Sequence, residues 1–142
     1  QAGYIYQGGY KGSNILHTLR HWINDDAKWR EILRGLNETL YHQTVTTNEI
    51  EDYISKSSGL DLTAFFNQYL RHSRVPTLEY GIKDNVLTYR WIHSVEGFDM
   101  PIKIKIGKVY QWISPTVEIK SQAIKGKDII IDDNFYVRIK RI

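Results

Sequence analysis

The sequence predicts an α+β protein, with an antiparallel helical segment at residues 1–75 and a small β-sandwich at residues 76–142. Three observations support this prediction. Apolar residues recur at intervals of three and four before Pro76 and at intervals of two after it. Proline cannot continue a helix, so Pro76 closes the helical half. Turn residues then recur at about every 8 to 12 positions, which indicates about seven short strands after about four helices.

The first predicted helix carries an apolar stripe on one side and two histidines on the other. The stripe consists of Ile15, Leu16, Leu19, Trp22 and Ile23. His17 and His21 are four residues apart, a spacing at which two imidazoles reach one zinc ion. A zinc-peptidase helix also needs a glutamate directly after the first histidine, and Thr18 stands there. We therefore expect the histidines to be exposed or to face a partner, and we predict no metal site.

The second helix is predicted from a cap and a helical repeat. Asn24, Asp25 and Asp26 offer side-chain oxygens that can cap a helix start. The apolar repeat that follows is Trp29, Ile32, Leu33, Leu36 and Leu40. Gly35 lies inside this helix at a cost of up to about 1 kcal/mol relative to alanine. We therefore expect another chain segment to pack closely against Gly35.

Two further helices follow, each with its own start signal. Thr46 and Glu49 form a capping-box pattern, and the segment 57–59 ends that helix with a glycine. Asp61 can cap the fourth helix. The predicted buried face of the fourth helix is Leu62, Phe65, Phe66, Tyr69 and Leu70.

The strand half begins with a predicted hairpin. Residues 78–82 and 86–92 alternate apolar and polar side chains around the turn pair Asp84 and Asn85. Further strands are predicted at residues 102–106, 109–113, 117–120, 128–131 and 135–142. In the first of these, isoleucines point inward while Lys103 and Lys105 point outward. We interpret the lysines as a solvated strand edge rather than a nucleic-acid stripe.

Composition narrows the function classes. The chain of 142 residues has a net charge of +3, with basic residues scattered among acidic ones, so nucleic acid is not an expected partner. It has no cysteine, which excludes disulfides and thiolate metal sites. No apolar run reaches the roughly 20 residues of a membrane span, and no leader is expected at the amino end. Compartment and oligomeric state stay open, and no catalytic motif stands out among the residues.

Several segments, taken together, resemble the carboxyl-terminal portion of the zinc aminopeptidase family that includes aminopeptidase N. These segments are YKGSNILHTLR, WREILRG, TVTTNEIEDYISKSSGLDLTAFFNQYLR, VPTLEY, LTYRW, FDMPIKI and WISP. The resemblance runs over nearly the whole chain. It implies that the tail of a helical catalytic domain leads into a β-sandwich, which is the layout that the change of period at Pro76 predicts independently.

The resemblance also implies where the chemistry lies. The family's HExxH motif and its downstream glutamate are expected before Gln1, so this chain would lack the zinc ligands and the general base. We therefore expect the chain alone to be inactive. Zinc and a peptide substrate are expected only for a longer parent protein, a metallopeptidase that removes amino-terminal residues from peptides.

One catalytic position of the family would fall inside this chain. Its tyrosine, which stabilises the oxyanion, precedes the lysine of the Lys-Gly pair by two residues, and that position is Gly9 here. Tyr10 is our candidate catalytic residue, with Tyr6 as another, because the neighbouring glycines permit a local shift.

Two alternative functions stay open. The first is a non-catalytic peptidase-like scaffold for peptide binding or assembly, which the glycine at position 9 would favour. The second is a stand-alone sandwich that binds protein or carbohydrate through Trp91, Tyr110 and Trp112.

Overall fold

The computed structural model describes residues 14–40 and 46–142, and within them the chain has the predicted α+β fold. The helices are α1 at residues 14–23, α2 at Asp26–Leu40, α3 at Thr47–Ser58 and α4 at Thr63–Phe66, which continues as a π-helical turn at Asn67–Arg71. The strands are β1 Thr77–Lys83, β2 Val86–Ile92, β3 Ile102–Ile106, β4 Val109–Ile113, β5 Lys120–Ala123, β6 Ile130–Ile131 and β7 Arg138–Arg141. None of the described helices is long and apolar enough to cross a membrane.

The side chains predicted to cap α2 and α3 do so, whereas Leu62 rather than Asp61 occupies the N-cap position of α4. The Asp25 carboxylate accepts a hydrogen bond from the backbone N–H of Lys28 at 3.1 Å. The Thr46 hydroxyl accepts one from the N–H of Glu49 at 3.2 Å. Gly59 ends α3 with φ of 74°, a left-handed conformation that glycine adopts without strain. The Asp61 carboxylate accepts from Thr63 N–H at 3.1 Å, and this bond holds the pKa of Asp61 below its usual value.

Gly35 makes the close contact that its position in a helix predicts. A β-carbon built at Gly35 would collide with the phenolic oxygen of Tyr53 on α3. Glycine therefore lets α2 and α3 approach at this point, and the packing outweighs its low helix propensity.

The predicted buried face of the fourth helix is wrong at one residue. Leu62, Phe65, Phe66 and Tyr69 are buried as expected, but Leu70 is 41% exposed and Gln68 is fully buried instead. The π-helical turn is the reason. A π-helix has more residues per turn than an α-helix, so each residue advances the helix by a smaller angle and the buried face shifts.

The strands form a four-stranded sheet of order β5-β2-β1-β7 and a three-stranded sheet of order β4-β3-β6. The predicted hairpin is confirmed, since β1 pairs antiparallel with β2 around Asp84 and Asn85. Both turn residues have positive φ, 52° and 61°, as a type I′ turn requires. β7, in contrast, pairs parallel with β1.

Three strand predictions at the carboxyl end need correction. The strand expected at residues 117–120 begins at Lys120, because the Thr116 hydroxyl accepts from Glu118 N–H at 3.2 Å and holds a turn there. The segments expected at 128–131 and 135–142 pair only over β6 and β7. The N–H of Val137 bonds locally to the carbonyl of Phe135 at 3.0 Å, so the ladder starts later.

The interpretation of the β3 lysines as a strand edge is also wrong. β3 is the middle strand of its sheet, with β4 on one side and β6 on the other. Ile102 and Ile104 are buried as predicted. Lys103 and Lys105 are half-buried, and the Nζ atom of each lies 5.3 Å from the ring centroid of Tyr110 on β4.

Buried side chains of both halves form one hydrophobic cluster. The Tyr69 ring lies 6.3 Å from that of Phe98, and its hydroxyl donates to the backbone carbonyl of Tyr136 at 2.7 Å. Burial raises the pKa of the Tyr69 phenol far above its usual range. The domain boundary between residues 75 and 76 stays a prediction.

The prediction that Trp91 is an exposed aromatic residue is wrong. It is only 1% exposed, and its indole N–H donates to the carbonyl of Met100 at 3.1 Å. Tryptophan satisfies its single donor in this way when it is buried. Trp91 is therefore unavailable to a surface ligand.

Candidate functional site

Helix α1 connects the helical half to the strand half through a buried threonine. The Thr18 hydroxyl donates to the carbonyl of Asn14 at 2.8 Å and accepts from the backbone N–H of Tyr136 at 2.9 Å. Thr18 is fully buried, whereas Leu16 of the predicted apolar stripe is 44% exposed. The buried side of α1 therefore differs from the predicted apolar stripe and lies closer to the sandwich. The reason is that α1 packs against both the helical half and the strand half.

The two histidines of α1 face the loop between β6 and β7. The ring centroids of His17 and His21 are 4.5 Å apart, and the His21 ring lies 6.5 Å from Phe135. His17 Nε2 lies 3.0 Å from Oδ1 of Asn134. Because an amide oxygen only accepts hydrogen bonds, His17 Nε2 donates here. His17 is exposed, as expected, whereas His21 is half-buried against another part of the same chain.

The surroundings of His21 disfavour its charged form. Burial has the largest effect and lowers the pKa of His21, and the neighbouring His17 lowers it further, while Asp132 acts in the opposite direction. The charged form of the His21 imidazole is therefore less stable here than in a free histidine.

The described residues do not provide a zinc site. Protein zinc sites take three or four protein ligands. Within residues 14–40 and 46–142, no three histidine, cysteine, aspartate or glutamate side chains come together as a metal site requires. His17 and His21 are only two ligands, and the hydrogen bond to Asn134 occupies one ring nitrogen of His17. The donor set of this part of the chain does not fit the zinc that the family resemblance implies for the parent.

The catalytic candidate lies outside the described residues. Tyr10, the alternative Tyr6 and the departure at Gly9 all precede residue 14. Their role stays a prediction.

A buried glutamine joins the two halves, and sequence reasoning missed it. Gln68 Nε2 donates to the carbonyls of Arg74 at 2.9 Å and His93 at 3.1 Å. Its Oε1 accepts from the N–H of Val95 at 2.7 Å. The only available signal was a polar residue between Phe66 and Tyr69, which reads as exposed in a regular α-helix.

The outer face of the three-stranded sheet presents two exposed aromatics. Tyr110 is 57% exposed and Trp112 is 37% exposed, and the Trp112 ring lies 5.8 Å from Phe135. These are the two members of the predicted aromatic surface that the structure leaves accessible.

Comparison with known proteins finds one partial likeness. No family model matches the chain. An aminopeptidase N from Lactococcus lactis subsp. lactis is 27% identical to this chain over 77 residues. The matched region is 54% of this chain and 9% of that relative, so the chain spans a small fraction of the relative's length. The chain is thus similar, over about half its length, to a part of an aminopeptidase N.

Proposed function

We propose that this chain is part of an aminopeptidase N-like zinc metallopeptidase, which removes amino-terminal residues from peptides, and that the chain alone is catalytically inactive. The observation that carries the proposal is the 27% identity over 77 residues to an aminopeptidase N. The α+β layout, with helices before a seven-stranded sandwich, agrees with the layout that the family resemblance implies.

In this proposal the chain supplies support rather than chemistry. Thr18 ties α1 to the strand half by its bond with Tyr136, and Tyr69 ties α4 to the same residue. Side chains held from two sides keep a fixed position, which is what a neighbouring active site needs. The zinc ligands and the general base would come from other parts of the parent.

Tyr10 is the one residue of this chain to which we assign a direct catalytic role. Its hydroxyl would donate a hydrogen bond to the oxyanion that forms on the substrate carbonyl. In the parent, Tyr10→Phe should lower kcat by about 100-fold or more with a smaller change in KM, because the bond forms in the transition state. Tyr6→Phe tests the alternative donor, and a loss of kcat in Tyr6→Phe as large as that in Tyr10→Phe, or larger, would contradict the assignment.

The proposal is tested on the chain and on its parent. We expect the purified 142-residue chain to bind no stoichiometric zinc by atomic emission and to leave aminoacyl-4-nitroanilides intact. The open reading frame around it should encode HExxH with a downstream glutamate, and its product should hydrolyse the same substrates until 1,10-phenanthroline is added. Hydrolysis by the chain alone, or a parent that lacks the motif, would refute the proposal.

The two alternatives have their own outcomes. A parent that binds peptides without hydrolysing them would indicate the peptidase-like scaffold. The binding module would now depend on Tyr110 and Trp112, since Trp91 is buried. Retention of a glycan or peptide by the chain, lost in Tyr110→Ala, would favour that module.

A further inference from the structure

We propose that a cavity at the junction of the two halves, lined by Arg74, Arg138 and His93, binds a phosphate group. The cavity has a volume of about 390 Å³. It is lined by Ser73, Arg74, Val75, Thr77, His93 and Arg138. The segment after the π-helical turn, the start of β1, the end of β2 and the start of β7 therefore all contribute to it.

The positive charge of this cavity is uncompensated within the described residues. No aspartate or glutamate is among the lining residues. Five ion pairs occur in the described part of the chain, and neither Arg74 nor Arg138 takes part in any of them. On the same sheet, by contrast, Arg90 and Lys140 share the carboxylate of Glu79. Two guanidinium groups beside one cavity thus lack the counter-charge that their neighbours have.

Arg74 is oriented by an unusual partner. Its Nη1 lies 2.6 Å from Nδ1 of His93. A guanidinium only donates hydrogen bonds, so Nδ1 accepts and the proton of the imidazole resides on Nε2. In the described part of the chain this is the one hydrogen bond of the Arg74 side chain, so its other N–H groups remain available to a ligand.

The backbone beneath the two side chains is fixed by Gln68. This fully buried residue donates to the carbonyls of both Arg74 and His93. His93 itself has φ of 56°, in the left-handed region that residues other than glycine rarely adopt. Such conformations persist where surrounding contacts hold them, and they cluster at ligand-binding sites. The backbone that carries Arg74 and His93 is therefore held in place before any ligand arrives.

The charge of the site favours phosphate over a carboxylate. Two guanidinium charges balance a dianion, and a phosphate monoester carries a charge of about −1.5 to −2 near neutral pH. A single carboxylate would leave one positive charge unbalanced. The planar guanidinium fork binds pairs of oxygens on phosphate and carboxylate alike, so the charge of the ligand decides between them.

The test uses the 142-residue chain and inorganic phosphate as the probe. Binding is measured by isothermal calorimetry in a phosphate-free buffer at constant ionic strength. We expect saturable one-to-one binding, which Arg74→Gln and Arg138→Gln each weaken by roughly ten- to hundredfold. Arg34→Gln, an equal charge change at an exposed position of α2, is the matched control and should leave the affinity unchanged. Circular dichroism of each variant checks that the fold is retained.

Two further ligands identify the source of the phosphate and the specificity of the site. Tighter binding of O-phosphoserine than of inorganic phosphate would support a phosphate ester as the natural ligand, and equal affinities would support a free phosphate. Acetate should bind at least tenfold more weakly than either. The proposal is overturned if inorganic phosphate does not bind at millimolar concentration, if acetate binds equally well, or if Arg34→Gln weakens binding as much as Arg74→Gln.

Discussion

Replacing Gln68 by leucine should destabilise the junction between the helical half and the strand half. Gln68 is fully buried, and its amide satisfies the carbonyls of Arg74 and His93 and the N–H of Val95. Leucine fills a similar volume but offers no hydrogen-bonding group. The substitution therefore removes hydrogen bonds with little change in packing.

The magnitude follows from the groups that lose their partner. A buried backbone group left without a hydrogen bond costs about 1 to 3 kcal/mol. Arg74 and His93 are exposed residues, so their carbonyls can turn towards water and cost less than the N–H of Val95. We expect Gln68→Leu to lower the free energy of unfolding by about 2 to 5 kcal/mol. This is a large part of the 5 to 15 kcal/mol or so that a typical domain has.

Urea unfolding followed by tryptophan fluorescence measures the change. Trp91 lies 5.3 Å from Phe98 in the core beside this junction, so its emission reports the loss of packing. With a slope of about 2 kcal/mol per molar urea, the midpoint should fall by roughly 1 to 2.5 M. Gln122→Leu, at a half-buried position of the edge strand β5 where the side chain forms no hydrogen bond with the described residues, is the matched control and should change stability by less than about 0.5 kcal/mol. A shift for Gln68→Leu no larger than that of the control would refute the reasoning.

Three other predictions follow from the same structure. Gly35→Ala should lower the free energy of unfolding, measured with urea, by about 1 to 3 kcal/mol, because the added methyl group meets the Tyr53 hydroxyl. Adding Tyr53→Phe to the Gly35→Ala chain should restore part of this loss. His21 has a lowered pKa, so the unfolded chain binds more protons than the folded protein below the ordinary value of 6.5. The urea midpoint should be highest above pH 6.5 and should fall as the pH drops below that value. His21→Gln should reduce this fall. Asn85→Gly should raise the melting temperature slightly, since glycine adopts the positive φ of this turn position more easily, whereas Asn85→Val should lower it.

The features that could be predicted from the sequence depend on neighbouring residues. The caps at Thr46 and Gly59 and the turn at Asp84 and Asn85 each arise within a few positions of the chain. The change of apolar spacing at Pro76 is also local. These local preferences are the same in the unfolded and the folded chain, so they indicate the secondary-structure elements correctly.

The features that could not be predicted depend on distant partners. The central position of β3 is set by its pairing with β6, some 25 residues further on, through Ile104 and Ile131. The parallel pairing of β7 with β1 joins residues about 60 positions apart, such as Thr77 and Arg138. An alternating pattern shows which face of a strand is buried, but it does not identify the neighbouring strand.

The candidate sites divide in the same way. The His17 and His21 pair was visible as a spacing, and the absence of a glutamate after His17 argued against an HExxH helix. Its contact with Asn134, 117 residues away, was not visible. The cavity beside Arg74 and His93 could not be predicted because no sequence motif marks it. The backbone segments that carry these two residues are joined by hydrogen bonds from the buried Gln68 amide.

The contacts that join the two halves come from polar atoms in an otherwise apolar core. The hydroxyls of Thr18 and Tyr69 both bind backbone groups of Tyr136, and the amide of Gln68 binds Val95. Apolar contacts are non-directional, so two apolar surfaces can shift against each other at little cost. A buried hydrogen bond, in contrast, is lost when the donor and acceptor move apart by a fraction of the bond length. The three side chains therefore fix the position of the helices against the sheets. A structural support needs this property, and so does a cavity whose two arginines come from different halves.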